Sequence, residues 1–290
     1  MRYSQSLLLG AIFVVVAEFC MASMGALVKT LGQTMPSEMA VFARNLAGLL
    51  VLIPLIVSQK NLSLKTDCLH LHLFRSITGL LAMYCFFYAI IHIPLADSML
   101  LKMTAPLFMP LVALFWLKEG VSNWTVYALI VGFAGVWLVL DPTGEMNWVA
   151  LIGIIGGLLA AIAKVSIRRL SKTEPNIRVV FYFAFVGTVV SVFPALWNWQ
   201  TPTMNAIWLM IAIGFVGTLG QLALTRAYSV SNAGTVAPLT YSSVIFGGIY
   251  GYLFWNEIPA ERFLLGAVLI AMAGLLTLRK KSRNVEVGVL

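Results

Sequence analysis

Residues 29–36 read KTLGQTMP, and residues 168–175, which lie 139 positions further on, read RRLSKTEP. The likeness continues downstream: Val41-Phe42 and Gly48 recur as Val180-Phe181 and Gly187, and a shift of 138 then places Gly79 on Gly217 and Glu119 on Glu257. So constant a shift indicates an internal duplication, and a duplication identifies the folding unit. We therefore divide the chain into two repeats, residues 1–145 and residues 146–290.

The composition is that of a membrane protein. Hydrophobic residues make up 60% of the chain and charged residues 10%, and the apolar residues form runs instead of alternating patterns. A helix needs roughly 20 apolar residues to cross about 30 Å of hydrocarbon. Ten runs approach this length: 7–28, 37–57, 73–91, 95–117, 124–140, 148–167, 179–197, 206–227, 233–255 and 263–278. The sequence predicts an all-α integral membrane protein with ten transmembrane helices and no soluble domain.

Basic residues set the predicted orientation, because short cytoplasmic loops collect Lys and Arg. With the N-terminus inside, only Lys29 and Arg262 fall on the outer side. The cytoplasmic side receives Arg2, Lys60, Lys65, Arg75, Lys118, Arg168, Arg169, Lys172, Arg178, Arg279, Lys280, Lys281 and Arg283. We expect both termini in the cytoplasm. The net charge of +8 then lies along one membrane face and does not indicate a nucleic-acid partner.

Five spans per repeat is an odd number, so the second repeat must enter the bilayer in the opposite orientation. Inverted repeats are typical of secondary transporters, in which two near-equivalent halves meet at a central site. The loop charges agree, since the loop after the first span carries Lys29 alone whereas its copy carries Arg168, Arg169, Lys172 and Arg178.

Several short motifs stand out: Phe42-Ala43-Arg44, Phe74-Arg75, Phe87-Tyr88-Ala89, Thr104-Ala105-Pro106 and Lys118-Glu119-Gly120 in the first repeat, and Arg226-Ala227-Tyr228 and Asn256-Glu257 in the second. With these motifs the chain resembles the EamA family of the drug/metabolite transporter superfamily. The second repeat departs from the pattern at Phe183, which replaces the arginine, and at Val244, which replaces the proline. The resemblance implies ten helices, with helices 1–4 and 6–9 around a central cavity and helices 5 and 10 outside it.

Ionisable side chains within spans are candidate site residues, because each costs about 2.5–3.5 kcal/mol at the bilayer centre. Glu18 lies near the middle of the first span, where it forms either a buried ion pair with a Lys or Arg or a cavity carboxylate that binds an amine or a proton. Lys102 precedes Pro106, which removes the hydrogen bond to the Lys102 carbonyl. We expect the fourth helix to kink beside Lys102 and expose polar groups there, unless the prolines only shape packing.

The remaining ionisable residues in or at the ends of the spans lead to different predictions. Arg44 matches the arginine of the family motif and either holds a carboxylate or phosphate or locks helices together by donating to carbonyls. Lys164 and Arg226 lie close to the cytoplasmic ends of their spans, so we expect both to extend to the membrane surface. Glu119 and Glu257 end equivalent helices, where we expect capping or an ion pair with Lys118, Arg262 or another loop charge.

Uncharged polar residues suggest further contacts with an organic ligand. Tyr84 and Tyr88 share one face of the third span, Gln221 lies on a polar stripe of the eighth, and Tyr241 and Ser243 mark the ninth. The alternative is that these residues join helices without binding a ligand.

The sequence thus predicts a secondary transporter that moves a small organic metabolite by alternating access in a bacterial inner membrane. The predicted substrate is an amino acid, a related zwitterion or an organic anion, with H⁺ as the candidate coupling ion. The alternative is a membrane receptor or scaffold that binds a ligand without net flux. We expect no enzyme activity, cofactor or metal, since Cys68, His70 and His72 lack an evident fourth ligand and no phosphate-binding glycine loop occurs.

Overall fold

The computed structural model describes residues 7–58, 63–117, 123–140, 148–170, 173–230, 237–258 and 261–278. Within these ranges every regular element is a helix and no β-strand occurs. Glu119 and the basic residues predicted at 2, 60, 118, 172 and 279–283 lie outside the described residues.

The described chain folds into eleven α-helices and one 3₁₀-helix. Their bounds are α1 Leu7–Leu31, α2 Ser37–Ser58, α3 Leu69–His92, α4 Leu95–Lys102, α5 Ala105–Leu117, α6 Asn123–Leu140, α7 Trp148–Leu170, α8 Asn176–Trp197, α9 Met204–Val230, the 3₁₀-helix Ala237–Tyr241, α10 Ser242–Trp255 and α11 Glu261–Leu278.

Seven segments among the described residues are long and apolar enough to cross a membrane. They are α1, α2, α3, α4 with α5, α7, α8 and α9, and shorter apolar stretches occur in α6 and α11 at Leu129–Leu138 and Leu264–Ala273. The protein exterior is apolar as well, since Trp197 is 90% exposed and Phe115 is 82% exposed. Such a surface is stable against lipid and not against water. The prediction of an all-α membrane protein is confirmed.

The fourth apolar run is interrupted where the proline argument predicts. Helix α4 ends at Lys102 and α5 begins at Ala105, with Met103 and Thr104 in a turn between them. The N–H groups of these two residues donate to carbonyls three residues back, because Pro106 has no N–H to continue the α-helical pattern. Within the described part of the ninth run, the 3₁₀-helix that contains Pro238 directly precedes α10.

The turns after α1 and α7 have the same hydrogen bonds. In each turn, two successive N–H groups donate to one carbonyl: Thr34 and Met35 to Leu31 at 3.0 and 2.9 Å, and Thr173 and Glu174 to Leu170 at 3.0 and 2.8 Å. These are the two copies of the duplicated stretch, so the repeated sequence has a repeated local conformation.

Helices pack mainly between the halves of the chain. Helix α1 lies along α9 and α3 along α7, while α2 packs on α8 and α6 on α11. The α6–α11 contact is close because Gly135 has no side chain, and a Cβ there would lie 2.8 Å from the Gly266 carbonyl oxygen. Since the internal shift matches α1 with α7 and α3 with α9, exchanging the halves converts the α1–α9 pair into the α7–α3 pair.

Candidate functional site

A cavity of about 190 Å³ lies between the two halves. Residues from α1, α2, α3, α4, α7, α8 and α9 line it, and no described residue of α6 or α11 is among them. Its apolar wall contains methionine and phenylalanine side chains, which are Met21, Met24, Met83, Met99, Phe86, Phe87 and Phe183. Its charged lining residues are Glu18, Arg44, Arg75, Lys102 and Lys164.

Glu18 and Lys102 form an ion pair on the cavity wall. Lys102 Nζ donates to Glu18 Oε2 at 2.8 Å, and the two side chains are 22% and 4% exposed, respectively. Lys102 is the last residue of α4, so the ion pair joins the end of α4 to α1. The ion-pair alternative for Glu18 therefore occurs, and the paired carboxylate also lines the cavity. Lys164 lines the same cavity, so the expectation that it extends to the membrane surface is wrong.

Arg44 and Arg75 lie at another part of the cavity wall, where both guanidinium groups contact the Phe183 ring. The guanidinium carbon of Arg44 is 5.1 Å from the ring centroid and that of Arg75 is 3.8 Å away. Both arginines are buried, at 4% exposure. Arg44 donates to the Asn45 side-chain oxygen at 3.1 Å, whereas its Nε and the Nε and Nη1 of Arg75 have no hydrogen-bond acceptor in the described part of the protein.

The assignment of Arg75 to the cytoplasmic loop charges is wrong. The third apolar run was predicted to begin at residue 73, but α3 begins at Leu69, so Arg75 lies more than a turn inside the helix. The available signal was its place in the Phe74-Arg75 motif, one of the motifs that carry the family resemblance.

Of the eight predicted binding residues, Glu18, Arg44, Lys102 and Gln221 line the cavity. The tyrosines lie elsewhere. Tyr84 packs against a core cluster that includes residues of α1, α2, α3 and α9. Tyr88 stacks on His92 with ring centroids 4.1 Å apart, and Tyr241 donates to the Ile270 carbonyl at 2.9 Å. Ser243 is buried and donates to the Thr240 carbonyl at 3.0 Å. These four residues make packing or helix contacts and are not among the residues that line this cavity.

An ion pair joins three elements at the predicted outer end of the molecule, and we call it the outer cluster. Lys29, in the last turn of α1, pairs with Glu257 at 2.5 Å and donates to the Ile93 carbonyl at 2.7 Å. The other oxygen of Glu257 accepts the Leu95 N–H at 2.7 Å, which satisfies an unpaired donor at the start of α4. Capping and ion pairing therefore both occur at Glu257, and its partner is Lys29 of α1 and not a loop residue.

A second polar cluster, which we call the inner cluster, lies at the opposite end. Glu174 accepts hydrogen bonds from Arg178 at 2.5 Å and Thr66 at 2.8 Å, and lies 3.7 Å from His72. Arg178 also donates to the Ser63 carbonyl. Burial opposes ionisation of Glu174, but these hydrogen bonds and the charge of Arg178 outweigh burial and hold the pKa of Glu174 below its ordinary value. Through these hydrogen bonds the cluster connects the α2–α3 loop to the start of α8.

The sequence profile of the EamA-like transporter family matches residues 8–141 and again residues 147–279. The chain belongs to the EamA-like transporter family. The resemblance stated from the short motifs is thus confirmed, and this EamA protein is a membrane transporter and not an enzyme.

Its relatives include transporters of both directions. A pseudopaline exporter of Pseudomonas aeruginosa strain PAO1 is 36% identical over 276 residues, which cover 94% of this chain and 96% of the relative. An S-adenosylmethionine uptake transporter of Rickettsia bellii is 30% identical and covers 85% of each chain. A riboflavin transporter of Vibrio cholerae is 26% identical and covers 82% of each chain.

A solved crystal structure has the same fold as this EamA transporter. The TM-score is 0.66, and the match covers 92% of this chain and 96% of the other at 16% identity. At this level of identity the likeness concerns the fold alone.

Proposed function

We propose that this protein is a secondary transporter that moves a small organic metabolite by alternating access between two inverted five-helix repeats, residues 1–145 and 146–290. The observation that carries the proposal is a cavity between the halves whose wall holds the Glu18–Lys102 ion pair within membrane-spanning helices. A charged pair in this environment is costly and marks a substrate or ion pathway.

The helix pairing supports the inverted arrangement. Exchanging the halves maps the packing of α1 on α9 onto that of α7 on α3, and the α2–α8 and α6–α11 contacts onto themselves. The duplicated turns share their hydrogen bonds, and both the fourth and the ninth runs depart from a regular α-helix near a proline. Near-equivalent halves can exchange conformations and expose one site alternately to each side. In the proposed topology both termini lie in the cytoplasm of a bacterial cell.

The outer and inner clusters are the proposed closures of the two ends. The outer cluster connects α1 to α4 and to the residue that follows α10. The inner cluster connects the α2–α3 loop to α8. Because each cluster joins elements of different halves, a rocking motion of one half on the other requires one of them to open while the other stays closed.

Within the cavity, Glu18 is the proposed acceptor for a substrate amine or a coupling proton. Lys102 would then be released to a substrate carboxylate, with Arg44 as a further carboxylate partner. An amino acid, a related zwitterion or an organic anion offers both kinds of group, and exchange of the internal ion pair for contacts with the ligand avoids leaving a buried charge unpaired.

Counterflow in proteoliposomes tests the proposal. Vesicles loaded with an unlabelled metabolite and placed in a trace of the labelled one should accumulate label, and a panel of amino acids and organic anions locates the substrate. An imposed pH gradient tests coupling. The Glu18→Gln variant should lose exchange or its pH dependence and Lys102→Ala should lose exchange, whereas Glu261→Gln and Lys65→Ala, at exposed positions, should match the wild type.

The outcomes separate the alternatives. Binding of a panel metabolite without exchange of trapped solute would identify a receptor or scaffold. Exchange that survives unchanged in both the Glu18 and Lys102 variants would refute the site assignment while leaving the transport class intact.

A further inference from the structure

The cavity contains more positive charge than its own acid can balance. Among the described lining residues Glu18 is the only acid, and Lys102 already pairs with it. Arg44, Arg75 and Lys164 remain, and neither arginine makes an ion pair within the described chain. Buried, unpaired guanidinium groups are strongly destabilising unless an anion accompanies them.

The two arginines are held in place by aromatic and glycine neighbours. Phe183 contacts both guanidinium groups, and its ring face attracts each cation. The ring has no oxygen or nitrogen atom that could accept a hydrogen bond from their N–H groups. Gly79 leaves room for Arg75, since a Cβ there would lie 3.0 Å from Arg75 Nη1 and 3.0 Å from the Phe183 ring. Gly217, the repeat counterpart of Gly79, lies beside Arg44 Nε, 3.5 Å from the position of a Cβ.

The repeat explains why this arrangement is asymmetric. The internal shift of 139 matches Arg44 with Phe183, so the two equivalent positions of α2 and α8 face each other across the halves. One supplies a guanidinium and the other an aromatic face. Arg75 has Ile213 as its counterpart, which is fully buried among apolar residues. The second repeat therefore supplies the platform and the first supplies both cations.

We propose that Arg44 and Arg75 form a carboxylate-binding subsite for an amine-bearing substrate with two or more carboxylates; this deepens the proposed transport function and rests on it. The unpaired guanidinium N–H groups match a planar carboxylate, which accepts two parallel hydrogen bonds from such a donor. The Glu18 carboxylate takes the amine, and Lys102 and Lys164 face the remaining carboxylates. A substrate with one amine and one carboxylate would leave the cationic excess unbalanced.

Thermal unfolding of the purified protein tests the subsite with four probes at equal concentration. Glutamine, glutamate and nitrilotriacetate each carry an amine and have one, two and three carboxylates, respectively. Inorganic phosphate is the control anion that has neither an amine nor a carboxylate. We expect stabilisation to rise from glutamine to nitrilotriacetate and to be smallest with phosphate. The proposal is overturned if no carboxylate stabilises the protein, if glutamine equals nitrilotriacetate, or if phosphate stabilises most.

Variants separate ligand binding from folding. Arg44→Met and Arg75→Met remove an unpaired buried cation, so the unfolding temperature without ligand should not fall, whereas the affinity for nitrilotriacetate should weaken at least about tenfold. Arg75→Lys should retain part of the affinity, because the charge remains while the planar fork is lost. Arg169→Met removes an exposed charge and serves as the control. A wild-type response to nitrilotriacetate in both Met variants refutes the subsite.

Counterflow then distinguishes this proposal from the transport proposal. Loss of carboxylate binding in the arginine variants, with no exchange by the wild type, leaves the subsite standing and refutes transport. Exchange of a substrate that the arginine variants carry as well as the wild type refutes the subsite and leaves transport standing.

Discussion

The Glu18–Lys102 pair is buried deeply enough for each side chain to need the charge of the other. Removing the lysine alone leaves the Glu18 carboxylate, 4% exposed, without its counterion. We therefore predict that Lys102→Met destabilises the protein by about 3 kcal/mol, the lower end of the range for a broken buried pair, because Lys102 itself is 22% exposed. Chemical unfolding in detergent measures the change.

The double variant Glu18→Gln/Lys102→Met is the critical comparison. It removes both charges, so most of the stability lost in Lys102→Met should return, and the coupling energy from the double-mutant cycle should be large. Lys65→Met, at an exposed position, controls for the general effect of the substitution. A coupling energy near zero would show that the two side chains do not depend on each other.

Gly79 offers a test of the arginine geometry that changes no charge. A Cβ at this position meets Arg75 Nη1 and the Phe183 ring, both at 3.0 Å, so Gly79→Ala should displace the guanidinium and weaken the stabilisation by nitrilotriacetate. Gly248→Ala is the matched control, since no atom lies within 4 Å of a Cβ there. The control should gain up to about 1 kcal/mol of helix stability and retain the ligand response. Equal ligand responses in the two variants would contradict the prediction.

Sequence reasoning located the charged residues that line the cavity better than the polar ones. Glu18, Lys102 and Arg44 could be predicted because an ionisable group in a membrane span requires a special environment. Tyr241 and Ser243 were placed in the pocket from helix position alone, yet their hydroxyls donate to carbonyls, and a helical stripe does not show which neighbour covers it. Arg75 was missed because the start of α3 was predicted four residues too late, and element boundaries are the least reliable part of a prediction from sequence.

At the scale of elements, the position of the break in the fourth helix could be predicted and its effect could not. A proline removes one donor at a known position, which fixes the break near Lys102. The contact between Lys102 and Glu18 of α1 depends on how α4 packs. That packing could not be predicted from the sequence. The partner of Glu257 was uncertain for the same reason, since Lys29 lies 228 positions earlier in the chain.

The inner cluster predicts a pH dependence for the attachment of the α2–α3 loop. The lowered pKa of Glu174 means that its contacts with Arg178 and Thr66 contribute stability above the ordinary carboxyl pKa, and that this contribution is lost as the pH falls through the lowered value. Glu174→Gln should therefore lower stability at neutral pH, by about 1 kcal/mol, and match the wild type in acid. Thermal unfolding across the pH range measures the difference.

A matched control and a second readout make this test specific. Glu261→Gln removes an exposed carboxylate and should show no such convergence in acid. Proteolysis of the loop around Ser63 should become faster in Glu174→Gln at neutral pH. The substitution removes the carboxylate that orients Arg178 toward the Ser63 carbonyl. A difference between Glu174→Gln and the wild type that is constant across the pH range would contradict the linkage.

At the scale of the whole molecule, the two repeats have diverged where they meet the cavity and are similar where they support it. Arg44 corresponds to Phe183, so the site uses opposite chemistry at equivalent positions. The supporting turns retain the same hydrogen bonds. This division is the one expected of a carrier whose scaffold needs two interchangeable halves while its ligand has different ends.

The proposed inverted arrangement makes a direct prediction about Thr34 and Thr173. Both residues are exposed in the duplicated turns, and each hydroxyl contacts the carbonyl of the residue three positions back. In a variant with Cys20, Cys68 and Cys85 replaced by serine, a cysteine at position 34 should react with an impermeant maleimide in intact cells, and one at position 173 only in inverted vesicles. The equivalent chemical environments of the turns make each the control for the reactivity of the other. Labelling of both from one compartment would refute the inverted topology, because two copies of one turn lie on opposite membrane faces only if an odd number of spans separates them.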